Sequence, residues 1–425
     1  MNKINQDHIL ALVFVLIPVV TLFAGFYLNE DLSTGGSRWD FNITWPLIVD
    51  YSNFNFLDAR LAVVADAKDG AIPRHLPLHY FILSVVYKIL NDQNFVRLFY
   101  LFFSLLLPIF LYLNLIKIYN CKKIFVLIVS FSFLFLPYFR SLALWPNAHL
   151  TALIFFIISN FFYLRALDKD RLFDKVLNLL FLAFATYSLQ TYVILFIFYL
   201  TNYFLREKRK VFINLFLFCC FLGLPGLYIL SLNEKMLKLP ITKDLFYTIT
   251  NNFSIIFFFL LFFLFNKNNY KVFLNQIRKL KVIETTLILF LFVLIAYNLD
   301  YSMLTSKLRG GGFFYKISHF IFSNNIIFLS SFFFSLFAIF LLIREDFKFF
   351  YIIILINIMG LNYQIYQKYF EPLLLIMIFI LFKNFLSANI FLRLKNVLLF
   401  YLIIVFYYFL SLINFYYGFS YNMVI

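Results

Sequence analysis

Long stretches of this chain contain no charge at all. Ile9–Leu28, Val176–Leu205, Val211–Leu232 and Val397–Ile425 are each free of Asp, Glu, Lys and Arg. An uncharged apolar run of about 18 residues or more can cross the ~30 Å hydrocarbon core as a helix. In hydrocarbon every backbone N–H and C=O must be paired within the protein, which leaves helices and closed barrels. A barrel would show alternating segments of about ten residues, and the sequence has none. The expected fold class is therefore all-α integral membrane. Composition agrees, with 64% of the 425 residues hydrophobic and 13% charged, against roughly half and a quarter in soluble domains.

The first apolar run is too long for the core of a signal peptide, and Tyr27-Leu28-Asn29-Glu30 offers no small-residue cleavage site. It reads as a retained first span. About thirteen transmembrane helices are expected, near 9–28, 95–117, 124–139, 149–165, 176–189, 191–205, 211–232, 248–265, 284–299, 325–343, 349–366, 372–386 and 397–416. No internal repeat or Gly/Ser/Pro-rich linker interrupts them, so 1–425 reads as a single polytopic domain. The three cysteines build no disulfide framework, because Cys219 and Cys220 are adjacent within a span and Cys121 stands alone.

The net charge of +16 is then topology rather than a nucleic-acid footprint. With the N-terminus inside, the clusters Lys117/Lys122/Lys123, Arg165–Lys175, Arg206–Lys210, Lys267–Lys281, Arg344/Lys348 and Lys383–Lys395 all fall on the inner side. This is the distribution the positive-inside rule requires. Leu76–Leu90 is apolar but short, and counting it as a span would flip every later cluster outward. It reads instead as a juxtamembrane helix at the outer surface. The inner stretch Asp168–Lys175 alternates in sign and reads as a solvated connector.

The outer segments are then 29–94, 140–148, 233–247, 300–324 and 367–371. The first is the longest, and seven of the chain's twenty acids lie between Glu30 and Asp69. Asp40 precedes an amphipathic stretch (Phe41, Trp45, Leu47, Ile48) suited to an interfacial helix, and the plain alternative is that it caps that helix. Arg74, His75, His79 and Tyr80 cluster at the start of the short helix, an expensive group near lipid unless it faces a cavity.

These pieces resemble the C-type membrane glycosyltransferases (the GT-C superfamily), which include protein O-mannosyltransferases and the aminoarabinose transferase of lipid A. The likeness rests on Asp40, on His75-Leu76-Pro77-Leu78-His79-Tyr80, on Arg97-Leu98, on Leu136–Ala143 followed by Asn147-Ala148-His149, and on the break at Ser188-Leu189-Gln190-Thr191. It covers roughly the first 210 residues. Leu76 stands where the family usually has a proline, and Gln190 where it often has a lysine. The resemblance implies a bacterial inner-membrane enzyme with its active site facing the periplasm. Its donor would be a polyprenyl-phosphate-linked sugar, and its acceptor a hydroxyl of a glycan, lipid or protein.

A carboxylate near the interface suits the proton transfer such chemistry needs. Asp40 is the first choice of base, Asp31 the second and Glu30 the third. Fixed cations would stabilise the leaving phosphate. The candidates are Arg74, His75, His79, Tyr80, Arg140 and His149 from the first half, with Lys307 and Arg309 beside Gly310–Gly312, and Lys368 beside Glu371. No metal-ligand spacing is present; no cofactor is required, and outer carboxylates leave room for a divalent cation. Two other functions compete, a flippase or transporter for lipid-linked oligosaccharide and a surface-polysaccharide polymerase. A transporter would carry charge at mid-membrane, and a polymerase its large outer loop late in the chain. The apolar cores here are almost free of charge and the large loop comes first.

Overall fold

Charge-free runs become helices wherever the structure, a computed structural model, describes the chain: residues 6–33, 36–53, 75–231, 245–299, 312–347, 349–359, 367, 370–381 and 384–417. Among these residues there is no strand. The helices of the first half are α1 (Gln6–Tyr27), α2 (Gly36–Asn53), α3 (Leu78–Leu90), α4 (Gln93–Ser104), α5 (Leu106–Ile118), α6 (Lys123–Ser132), α7 (Pro137–Leu144), α8 (Ala148–Lys169), α9 (Leu172–Ser188), α10 (Ile194–Arg206) and α11 (Arg209–Ser231). The second half adds α12 (Leu245–Leu264), α13 (Lys267–Arg278), α14 (Val282–Tyr297), α15 (Phe313–Phe322), α16 (Ile326–Glu345), α17 (Phe349–Met359), α18 (Leu373–Ile380), α19 (Phe385–Ile390) and α20 (Leu394–Tyr417).

Seven of these stretches are long and apolar enough to cross a membrane, or up to nine if each of two bent pairs is one span. The protein is thus an all-α membrane protein. The expected crossings near 176–189, 191–205, 349–366 and 372–386 fall on α9, on Gln190–Val193 with α10, on α17 and on α18, each too short to meet that length alone. α3 is short as well, with thirteen residues, because Pro77 opens it and Asn91, in the left-handed region at φ 49°, closes it. It buries His79, Tyr80, Leu83 and Ser84 and leaves Phe81, Val85 and Ile89 exposed. An exposed apolar stripe at i, i+4, i+8 suits a lipid-facing helix.

The chain forms two compact units. The first comprises residues 1–117 and 137–238, the second 118–136 and 239–425. In the first, amides inside apolar helices bind neighbours together. Asn114 donates to the carbonyl of Ile157 (3.0 Å), Asn160 to Asn114 Oδ1 (2.9 Å), Tyr199 to Asn160 Oδ1 (2.9 Å) and Tyr203 to Asn178 Oδ1 (3.0 Å). The Asp168–Lys175 stretch is more than a solvated connector. Asp174 and Lys175 are buried, Lys175 pairs with Asp170 and Glu207, and Arg165 pairs with Asp174.

In α11, Pro225 interrupts the helix and the Tyr187 hydroxyl enters the gap. Gly226 N–H donates to that hydroxyl (3.0 Å), which donates to the carbonyl of Leu222 (2.5 Å). A side chain thereby replaces one i→i−4 backbone bond, an identifiable cause of helix bending. In the second unit, the polar turns at the start of α12 are buried, including Thr248, Thr250, Asn251, Asn252 and Ser254.

Candidate functional site

The site grows from the end of α1. Asn29 takes the left-handed conformation (φ 51°), which asparagine tolerates. Glu30 N–H then bonds back to the carbonyl of Gly25 and Asn29 N–H to that of Phe26, the paired bonds of a Schellman ending. This turn sends Glu30 back against the helix it has just left. Its carboxylate meets Arg140 of α7 in a two-pronged pair, Nε to Oε1 at 2.7 Å and Nη2 to Oε2 at 3.0 Å. The same guanidinium donates to the carbonyl of Thr21 at 2.8 Å. Both side chains are buried. Gly25 makes room for them, since a Cβ there would lie 2.8 Å from Arg140 Nη2 and 2.9 Å from Glu30 Oε2.

Asp31 is buried one residue on. Its Oδ1 accepts from the Ser33 N–H and hydroxyl, and its Oδ2 from Arg38 N–H at 2.8 Å. Arg38 lies in the first turn of α2, so Asp31 satisfies an unpaired N–H and faces the positive end of the helix dipole. Asp40, partly exposed, follows in the second turn of α2. It is therefore not the residue that caps this helix, because the helix begins at Gly36.

Two arginines share the ring of Trp145. Arg97 of α4 lies 3.7 Å from its centroid and Arg38 lies 5.2 Å from it. Arg97 is buried and donates to the carbonyl of Leu144 (3.1 Å) and to the side chains of Asn29 (3.2 Å) and Asn94 (3.3 Å). The indole is fixed by donating its N–H to the carbonyl of Glu30 at 2.9 Å, and Phe41 of α2 packs beside it.

The histidines form the next layer. His75 and His149 meet edge to face with ring centroids 5.3 Å apart. His79 lies 2.8 Å from the Thr151 hydroxyl, which lies 2.8 Å from the Tyr100 hydroxyl. Tyr100 donates to the carbonyl of Asn147 at 2.8 Å. A carbonyl only accepts, so one consistent chain runs from His79 Nδ1–H to Thr151, from Thr151 to Tyr100 and from Tyr100 to Asn147. Burial, with the nearby His75, lowers the pKa of His79 to about 3. The ring is neutral at physiological pH.

Glu30, Asp31, Asp40, His75, His79, Tyr80, Arg140 and His149 all lie in the first unit. Arg74, Lys307, Arg309 and Lys368 lie outside the described residues. Glu371, the expected partner of Lys368, accepts from the Tyr407 hydroxyl at 2.8 Å, and Gln367 joins that hydroxyl to the N–H of Phe313. No group of three or more metal-binding side chains occurs among the described residues. Of these three residues only Arg97 is cited in the sequence reading, within Arg97-Leu98 and without a role; Arg38 and Trp145 are not among its candidates. The available signal was Arg97 itself, a permanent charge at the start of an apolar span. Compared with models of known families, with characterised proteins and with solved structures, the chain matches none of them.

Proposed function

We propose that this chain is a membrane glycosyltransferase of the C type. It moves a sugar from a polyprenyl-phosphate donor to a hydroxyl acceptor at the outer face of the inner membrane. One observation carries the reading: acids, cations and imidazoles from α2, α3, α4, α7, α8 and the turn after α1 converge beside helices that are otherwise apolar. Polar groups near lipid are costly, so convergence of this kind points to chemistry. On this reading the N-terminus is cytoplasmic and the chain crosses thirteen times, with the shorter helices α9, α10, α17 and α18 completing the set.

The three candidate acids differ in exposure, with Glu30 and Asp31 buried and Asp40 partly exposed. Glu30 has both oxygens committed to Arg140, and Asp31 accepts three hydrogen bonds at the start of α2. Donors already seated on both oxygens of each of these buried carboxylates crowd the approach of an incoming hydroxyl. Asp40, partly exposed one turn further along α2, is the base we assign. Its carboxylate takes the proton of the acceptor hydroxyl as that oxygen bonds to the anomeric carbon. The bond from that carbon to the donor's phosphate breaks, and its electron pair leaves with the phosphate. The test is Asp40→Asn, scored by the mass of envelope glycans and lipid-linked intermediates. Loss of the base should slow transfer by about 10²–10⁴-fold. Wild-type glycan from Asp40→Asn, Asp31→Asn and the double variant would end the proposal.

A further inference from the structure

A buried polar atom without a hydrogen-bond partner is costly, because it has given up water and received nothing in return. Within the second unit, the start of α12 and the first turn of α15 bring three such atoms together. Asn251 Nδ2, Asn252 Oδ1 and the Tyr315 hydroxyl have no hydrogen-bond partner among the described residues. The three residues are 1%, 0% and 1% exposed.

Neighbouring groups decide which atom of each amide is left over. Gly312 N–H can only donate, so the Asn251 atom it meets at 3.3 Å is Oδ1, and the amide NH2 stays unpartnered. Asn357 spends its own NH2 on the carbonyl of Ile353 (2.7 Å), so its Oδ1 accepts from Asn252 Nδ2 (3.2 Å) and the Asn252 oxygen is left. Gln367 Oε1 takes the next N–H of the α15 start, that of Phe313, at 2.9 Å. The Tyr315 ring is held against Phe328 and His319, and Tyr247, one turn before Asn251, neighbours it. Thr248 and Ile255, each three or four positions from both asparagines, mark the middle of one buried stripe of α12. Asn251 flanks that stripe toward α15, and Asn252 flanks it toward α17.

The trio thus presents one donor, one acceptor and one hydroxyl that serves as either. A phosphate brings acceptor oxygens and negative charge, which Asn252 Oδ1 repels. A metal ion is repelled by the Asn251 NH2, and an apolar group leaves all three atoms unpaired. Hydroxyls both give and accept, and a sugar ring carries several of them close together. We infer that the Asn251–Asn252–Tyr315 seam binds a neutral sugar ring through its hydroxyls. The sugar class rests on these three atoms, and assigning the ring to a glycan acceptor rests on the transferase reading.

The experiment uses the full chain in phosphatidylcholine nanodiscs, with binding followed by saturation-transfer NMR. The probes are methyl glycosides of neutral hexoses and pentoses, 2-methoxytetrahydropyran (the same ring without hydroxyls), N-methylacetamide and inorganic phosphate. At least one glycoside should bind with a dissociation constant on the order of 1–10 mM, the other three probes at least about tenfold more weakly. Tyr315→Phe should weaken the glycoside by about 3–10-fold. It should leave the thermal midpoint unchanged or raise it, because the lost hydroxyl bonds to nothing in the protein. Asn252→Ala should weaken the glycoside by a similar factor.

A chain that binds no glycoside up to about 50 mM overturns the site and leaves buried water to complete the trio. Equal glycoside binding by the unaltered chain, Tyr315→Phe and Asn252→Ala overturns it too. Equal binding of the hydroxyl-free ring overturns recognition of hydroxyls, equal binding of N-methylacetamide replaces the sugar with a peptide, and equal binding of phosphate overturns neutrality. No donor is present in this assay, so the two proposals fail separately. A chain that binds the glycoside through Tyr315 yet transfers no sugar refutes the transferase and keeps the site. One that transfers sugar with unchanged glycoside affinity in Tyr315→Phe does the reverse.

Discussion

Removing the carboxylate of Glu30 should cost this protein far more than removing an ordinary surface acid. The Arg140 side chain is 0% exposed and that of Glu30 is 3% exposed, so water can hydrate neither charge once its partner is gone. In Glu30→Gln the amide can still accept one bond, while Arg140 keeps its full charge with the hydroxyl and carbonyl of Thr21 among its acceptors. In Arg140→Met the Glu30 carboxylate loses its two-pronged partner. Breaking one side of a buried pair typically costs about 3–5 kcal/mol. Glu30→Gln belongs near the lower end of that range and Arg140→Met near the upper.

The assay is reversible unfolding of the full chain in mixed micelles, run as a double-mutant cycle. The double variant should be less destabilised than the sum of the singles, with a coupling of about 2–3 kcal/mol. Gly25→Ala supplies a check that touches neither charge, because its added Cβ would crowd both partners at 2.8–2.9 Å; it should cost about 1–3 kcal/mol. Single variants that each lose under about 1 kcal/mol would refute the reasoning. So would a Glu30→Gln protein of normal stability that fails only in catalysis, because Glu30 would then be acting on substrate rather than holding Arg140.

Tyr187→Phe removes the hydroxyl that bridges Gly226 and Leu222, and should cost about 1–2 kcal/mol in the same unfolding assay; no change would mean the two backbone groups rebond directly. Gly312→Ala places a Cβ 2.6 Å from Ile255 Cγ1 and should lower stability by about 1–3 kcal/mol, and by less in an Ile255→Ala background, which lacks Cγ1. His79, with its pKa lowered to about 3, binds its proton less readily folded than unfolded. Its contribution is therefore complete above the ordinary histidine value of 6.5 and is lost as pH falls from there toward 3, by at most about 1.4 kcal/mol per pH unit. Unfolding followed from pH 7 to 5 should show that slope in the unaltered chain and a shallower one in His79→Phe; identical slopes would assign the pH dependence elsewhere.

Hydropathy exposed what one helix decides alone. The uncharged run Ile9–Leu28 becomes α1, Val211–Leu232 becomes α11, and Leu76–Leu90 is a short helix rather than a long one. It was blind to choices made between helices. Glu30 and Arg140 are 110 positions apart, and nothing in either local sequence says that the candidate base and the candidate phosphate ligand neutralise each other. Asn29 carried a readable hint, being a residue that tolerates the left-handed turn. Its consequence, Glu30 folded back beneath Gly25, depends on Arg140 waiting there.

The same limit applies to the amides. Asn114, Asn160 and Asn178 carry no charge, and a window average passes over them as slight dips in apolar runs. In the folded chain Asn114, Asn160 and Tyr199 join α5, α8 and α10, while Tyr203 and Asn178 join α10 to α9. Lipid tails are as apolar as leucine, so apolar surface gives helices little preference among neighbours, whereas interhelical hydrogen bonds and close packing do. The polar residues inside the spans therefore help decide which helices adjoin. That adjacency sets α4 beside α7 and α8, where Arg97 meets Trp145 and Tyr100 meets Thr151. A chemistry built from ordinary arginines and histidines thus depends on uncharged amides deeper among the same helices, and loosening Asn160 should disturb the site without altering any residue in it.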